Sequence, residues 1–165
     1  MKRLLNLLGF IKSLKGFLVT LLAGLIVGGF YFGIGYMMEE SDYNFKIGTL
    51  LNRADSYLIS GLTEDAINLY NELLREVKEE EKCAYINKNL GISYHRLSEK
   101  ENRAQNLTKA IVSFEEAARI YEQCGMYYPC AECYIYLGEA YWSLSEVEER
   151  ERNLNKALTA YDGAM

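Results

Sequence analysis

The first 38 residues contain no aspartate or glutamate, and proline, histidine and tryptophan occur once each, as Pro129, His95 and Trp142. A single proline leaves almost every backbone N–H free to donate, so from Lys46 onward only Pro129 forbids helix by losing its donor. A single histidine removes most catalytic pairings. A His/Cys or His/Asp pair needs a nucleophile and an orienting carboxylate around it, and the residues near His95 show no such spacing. No phosphate-binding loop or paired-glycine nucleotide fingerprint occurs in residues 39–165. Strand-like alternation is also lacking, and β-branched residues are sparse in that region. A chain without these features is read as helical and as a binder, with no cofactor expected.

What the chain does have begins with an uncharged run of 23 residues, Gly16 to Met38. As a helix it spans about 35 Å, against a hydrocarbon core of about 30 Å. A cleaved signal peptide would carry a shorter apolar stretch, and only Gly33-Ile34-Gly35 resembles a cleavage site. An uncleaved single-pass anchor is therefore expected over 16–38, after a short basic cytoplasmic segment at 1–15. Lys2, Arg3, Lys12 and Lys15 precede the run, and only Lys46 and Arg53 follow it closely. This bias keeps the amino terminus in the cytoplasm and exports the remainder. Gly24 with Gly28, and Gly29 with Gly33, have the four-residue spacing that lets two membrane helices approach, so self-association through them is expected.

Residues 39–165 hold all 23 acids and 14 of the 18 basic residues, a net charge of −9. Phosphate neutralisation needs a basic face, so nucleic acid is excluded as a partner class. A polar connector is expected over 39–46 and one helical domain over 47–165. Its apolar positions follow helical spacing. Leu62, Ala66, Leu69, Tyr70, Leu73 and Leu74 form one stripe, for example. Thr63 is expected to cap that helix, with Gly61 in a tight turn and Gly125 as a helix stop.

The segment Leu90–Ala117 recurs without a gap 47 residues later as Leu137–Ala164. Leu90-Gly91 with Tyr94 returns as Leu137-Gly138 with Tyr141. Arg103, Asn106-Leu107 and Lys109-Ala110 return as Arg150, Asn153-Leu154 and Lys156-Ala157. Phe114 and Ala117 return as Tyr161 and Ala164. A period longer than one helix marks stacked units that bury their apolar faces on one another. Three helix pairs are predicted, at 45–59 with 63–80, 83–99 with 105–123, and 128–146 with 151–165.

These residues resemble the tetratricopeptide repeat, a helix–turn–helix unit of about 34 residues. Leu50, Ala54, Tyr57, Ala66 and Tyr70 carry the pattern in the first unit, where Arg53 stands in place of the usual leucine. Gly91, Tyr94, Ala110, Phe114 and Ala117 carry it in the second, and Gly138, Tyr141, Ala157, Tyr161 and Ala164 in the third. Ala54 to Ala66 spans 12 positions, whereas Gly91 to Ala110 and Gly138 to Ala157 span 19. The seven extra residues add about one turn to each helix of the pair. The resemblance implies a right-handed α-solenoid that binds a protein or peptide in the groove lined by the first helix of each pair. The implied groove positions are Leu51, Asp55 and Leu58, then Tyr85, Lys88, Ile92, His95 and Arg96, then Ile135, Glu139 and Trp142. Leu51 and Asp55 replace the lysine and asparagine that a carboxylate clamp for chaperone tails requires.

Cys130 and Cys133 have redox or metal spacing, with Cys83 and Cys124 elsewhere in the chain. Three states stay open at this point: buried thiols, a disulfide, or a metal site. Function is therefore expected to be that of a membrane-anchored interaction scaffold. The alternative is a structural subunit that assembles through its glycine-rich span and the exposed face of its last repeat.

Overall fold

The computed structural model describes the backbone of residues 2–165 and the side chains of residues 21, 22, 24–26 and 28–165. Six helices and no strand occur among them: α1 Lys2–Ser60, α2 Thr63–Glu76, α3 Glu80–Ser98, α4 Arg103–Gln123, α5 Tyr127–Ser145 and α6 Arg150–Gly163. The chain divides into two compact units, Met1–Lys46 and Ile47–Met165.

Within the first unit, no helix among the described residues is long and apolar enough to cross a membrane. The span expected at 16–38 includes 16–20, 23 and 27, whose side chains lie outside the described residues, as do all those of the basic segment 1–15. Residues 39–46, the expected polar connector, are helical and belong to α1, so the first helix of the first pair does not begin at the expected 45. Glu39, Glu40 and Asp42 are good or tolerable helix residues, and no glycine or proline interrupts them before Gly48.

The second unit is a row of helix hairpins. Each of α2 to α5 packs on the helix that follows it, and α3 also touches α5, which is solenoid-like packing. Gly61 and Gly125 end α1 and α4 with φ of +79° and +69°. In both turns the chain closes the helix by a six-to-one bond, from Leu62 N–H to the Tyr57 carbonyl and from Met126 N–H to the Tyr121 carbonyl, each 2.9 Å. Glycine reaches this left-handed conformation without a Cβ penalty, and the bond satisfies a carbonyl that the helix end leaves unpaired.

Thr63 does not cap α2 as expected. It is the first helical residue, it is buried, and its hydroxyl donates back to the Gly61 carbonyl at 3.3 Å. The end of α2 at Glu76 also differs from the predicted 80. Val77 is extended and buried, so its side chain turns the chain inward before the next helix. Helix α3 then starts at Glu80 rather than 83, with Glu80 and Glu81 beside the positive end of the helix dipole.

The hairpins α3–α4 and α5–α6 share a loop that has no glycine. Asn102 and Glu149, one period apart, adopt φ of 46° and 45°. A left-handed non-glycine residue costs about 1–2 kcal/mol. The buried amides of Asn106 and Asn153 hold both turns, donating to the carbonyls of Glu101 and Glu148 at 2.9 and 2.8 Å. The recurring Arg-x-x-Asn-Leu run is thus a loop clamp.

Close approach is the other repeated device. A Cβ placed on Gly91 would lie 2.6 Å from the Phe114 ring, and one on Gly138 would lie 2.5 Å from the Tyr161 ring. Each ring therefore rests directly on helix backbone, which sets the spacing of its hairpin. Gly91→Leu or Gly138→Leu should overpack the pair and cost about 1–3 kcal/mol or more. Urea unfolding checks this, and midpoints equal to the parent's would show that the rings do not set the helix spacing.

Candidate functional site

The expected groove positions lie on α1 from Ile47 onward, α3 and α5, the first helices of the three hairpins. Between them lies an open cavity of about 370 Å³. Of the expected groove residues, Ile92, His95, Arg96 and Glu139 line it, together with Leu58 from the end of α1. The sequence reading missed Ile59, Glu99 and Tyr136, which also face it. Ile59 is strongly exposed at the last turn of α1, four positions after Asp55 and eight after Leu51, so helical spacing could have selected it. Tyr136 stands where Asn89 stands one period earlier, so only its packing on Phe114 reveals the aromatic wall.

Several side chains of this wall are tied down. Arg96 donates from Nη1 to the Leu58 carbonyl at 2.7 Å, a cation on one of the last carbonyls of α1. His95 Nε2 lies 3.4 Å from Ser143 Oγ and bridges α3 to α5. Glu99 and Glu139 contribute two carboxylates to a lining whose other polar groups are the Arg96 guanidinium, the His95 imidazole and the Tyr136 hydroxyl. The cavity therefore offers an apolar floor with one guanidinium and two carboxylates at its rim.

Six expected groove residues, Leu51, Asp55, Tyr85, Lys88, Ile135 and Trp142, do not line the cavity. Tyr85 donates its hydroxyl to Asp55 Oδ2 at 2.7 Å. Asp55 also accepts from the fully buried Tyr70 hydroxyl at 2.5 Å and from Asn89 Nδ2 at 3.3 Å. One carboxylate thus joins α1, α2 and α3, and the tyrosines stay protonated because burial and this acceptor both raise their pKa. Lys88 pairs with Glu132 at 2.8 Å, with its side chain mostly covered, and links α3 to α5. Ile135 and Trp142 are exposed on α5 but stand apart from the cavity lining.

The cysteines are free thiols. Cys130 and Cys133 lie buried in a cluster with Ala84, Ala117, Ala118, Ile120 and Tyr121. Burial pushes the Cys133 thiol up to about 12, so at neutral pH it stays protonated and a poor nucleophile. No group of metal-ligating side chains gathers among the described residues.

Compared with known protein families, curated proteins and solved structures, the chain matches none.

Asp55 separates support from recognition. Asp55→Ala leaves the Tyr70 hydroxyl without its acceptor in a buried setting, at an expected cost of about 1–3 kcal/mol. Thermal or urea unfolding measures it, and an unchanged midpoint would return Asp55 to the pool of free groove residues.

Proposed function

We propose that this protein is a membrane-anchored interaction scaffold that holds a protein or peptide partner in the groove of a tetratricopeptide-like domain. The observation that carries this reading is the cavity bordered by Leu58, Ile92, His95, Arg96, Tyr136 and Glu139. Its apolar floor accepts a side chain by excluding water, and the rim charges orient the partner's polar groups. Trp142 lies one turn beyond Glu139 on α5 and is 55 % exposed, which suits an aromatic anchor at the margin. Three hairpins and the recurring glycine–aromatic contacts support the repeat reading. The buried, protonated thiols favour binding over redox chemistry.

The anchor rests on the uncharged run Gly16–Met38 and on exposure. Leu25, Ile26, Phe30, Tyr31, Phe32 and Met37 stand more than half exposed on their helix, a surface that lipid would cover. The charge bias across the run places the amino terminus in the cytoplasm and the repeats outside.

A second reading is a structural subunit that assembles through the span. Gly24, Gly28, Gly29 and Gly33 have open space where a Cβ would stand, so another helix has room to approach them.

Replacing Trp142 with alanine should weaken binding of a captured partner by about 2 kcal/mol or more and leave the thermal midpoint nearly unchanged. A large loss of stability with unaltered affinity would place Trp142 in the core and the groove elsewhere. For orientation, protease added outside intact cells or vesicles should digest the repeats. Digestion that begins only after the membrane is breached would put them in the cytoplasm.

A further inference from the structure

Charge is unevenly matched around the cavity at the end of α1. That helix has no basic residue in its last turn, so nothing of its own offsets the partial negative charge of its final carbonyls. Helix α3 supplies the cations. Arg96 donates from Nη1 to the Leu58 carbonyl at 2.7 Å, and Lys100 Nζ, four residues on, donates to the Gly61 carbonyl at 3.5 Å. Both cations at this end of α3 are therefore engaged by the end of α1.

The carboxylates of the same cavity have no such partner. Glu99 and Glu139 are exposed and line it, and neither enters an ion pair or side-chain hydrogen bond among the described residues. Glu132, also on α5, shows the contrast, since Lys88 neutralises it at 2.8 Å.

The internal repeat isolates what the third unit adds. One period earlier, Tyr136 and Glu139 are Asn89 and Ile92. Asn89 is buried and donates to Asp55, which is a packing role. Tyr136 stacks on Phe114 at 5.3 Å and 14° between planes, yet its side chain also lines the cavity. A spacing of three residues sets Glu139 on the same side of α5 as that ring. Leu58, Ile59 and Ile92 give the cavity aliphatic surface, and Ile59 is 83 % exposed.

Aliphatic surface, an aromatic ring and two free carboxylates together match a guanidinium side chain. Its methylene stem packs on apolar groups, and its planar head both stacks on a ring and donates in pairs to carboxylate oxygens. An ammonium has neither the plane nor the fork. We propose that the cavity receives one arginine side chain from a segment of the partner protein. The proposal rests on the groove reading above and names what that groove recognises. The guanidinium takes Glu139 and Glu99 as acceptors beside the Tyr136 ring, and its stem covers Leu58, Ile59 and Ile92. Residues 39–165 carry a net charge of −9, a field that draws a basic segment in. An acidic segment would need a free cation here, and Arg96 and Lys100 are already held.

The probe is a displayed library of short random peptides, selected on the full-length protein in mild detergent. Recovered peptides are expected to share one arginine. A fluorescent synthetic copy should lose about tenfold or more in affinity when that arginine becomes citrulline, which keeps the shape and removes the charge. Lysine at the same place should recover only part of the loss. Glu99→Gln with Glu139→Gln should weaken the arginine peptide by a similar factor and leave the citrulline peptide unaffected, the coupling that direct contact requires. Both carboxylates are exposed and outside ion pairs, so this variant should keep the parent's thermal midpoint. Glu148→Gln with Glu151→Gln removes the same charge outside the cavity and should change affinity little.

Peptides that lose binding with Ile59→Glu but share no arginine would overturn the arginine assignment and leave the groove reading standing. So would equal binding of the lysine peptide. Equal weakening by the Glu148 and Glu151 variant would reduce the effect to general attraction by an acidic protein and also overturn it. Free arginine that competes as well as the peptide would overturn the assignment to a partner protein. Peptides indifferent to Ile59→Glu, or no binding peptides at all, would overturn both this proposal and the groove reading.

Discussion

The second unit depends on two aromatic rings that lie on bare backbone. Phe114 on Gly91 and Tyr161 on Gly138 fix how closely the helices of each long hairpin approach. Everything outward of those contacts follows from that separation. The apolar layers Leu107, Ile111 and Ala110 can then meet Leu137, Ala140 and Leu144 of the next hairpin. A methyl group on either glycine would force the ring away and open those layers, since a packed interior has little room to give.

Polar groups finish what the rings begin. Asn106 and Asn153 hold loops that contain no glycine, and Asp55 gathers three donors from two other helices. Tyr94 and Tyr141 each receive a lysine ammonium over the ring, from Lys109 and Lys156 at 5.2 and 4.9 Å to the centroid. The asparagine clamps and the lysine–tyrosine contacts recur at the 47-residue period, so the two long hairpins are built alike. The inner face keeps an apolar cavity with unpaired carboxylates only where the knitting stops, between the end of α1 and the middle of α5. Arg96, His95 and Tyr136 still join neighbouring helices there, and Glu99 and Glu139 are the lining groups outside any ion pair among the described residues.

Helix content, the three hairpins, the glycine turns and the close-packed glycines were all legible in the sequence, because each depends on local chemistry or on a repeat visible in one dimension. Helical spacing, a residue without Cβ and a 47-residue recurrence need no knowledge of distant partners. The groove was legible only in part. Ile92, His95, Arg96 and Glu139 line the cavity, but Tyr85, Lys88 and Asp55 are engaged with other helices, and Ile59 and Tyr136 complete the wall. A position on the inner face says which way a side chain starts, not which neighbour captures its polar end. That outcome belongs to residues 30 to 44 positions away in the chain, as between Asp55 and Tyr85 or Lys88 and Glu132. Cys130 and Cys133 follow the same division: spacing left three chemistries open, and burial among alanines and aromatics decided for protonated thiols. By itself the sequence determined what each segment prefers to be. Tertiary structure alone decided which charged and aromatic groups are consumed in packing and which remain free, because only folding sets their distances and removes their water.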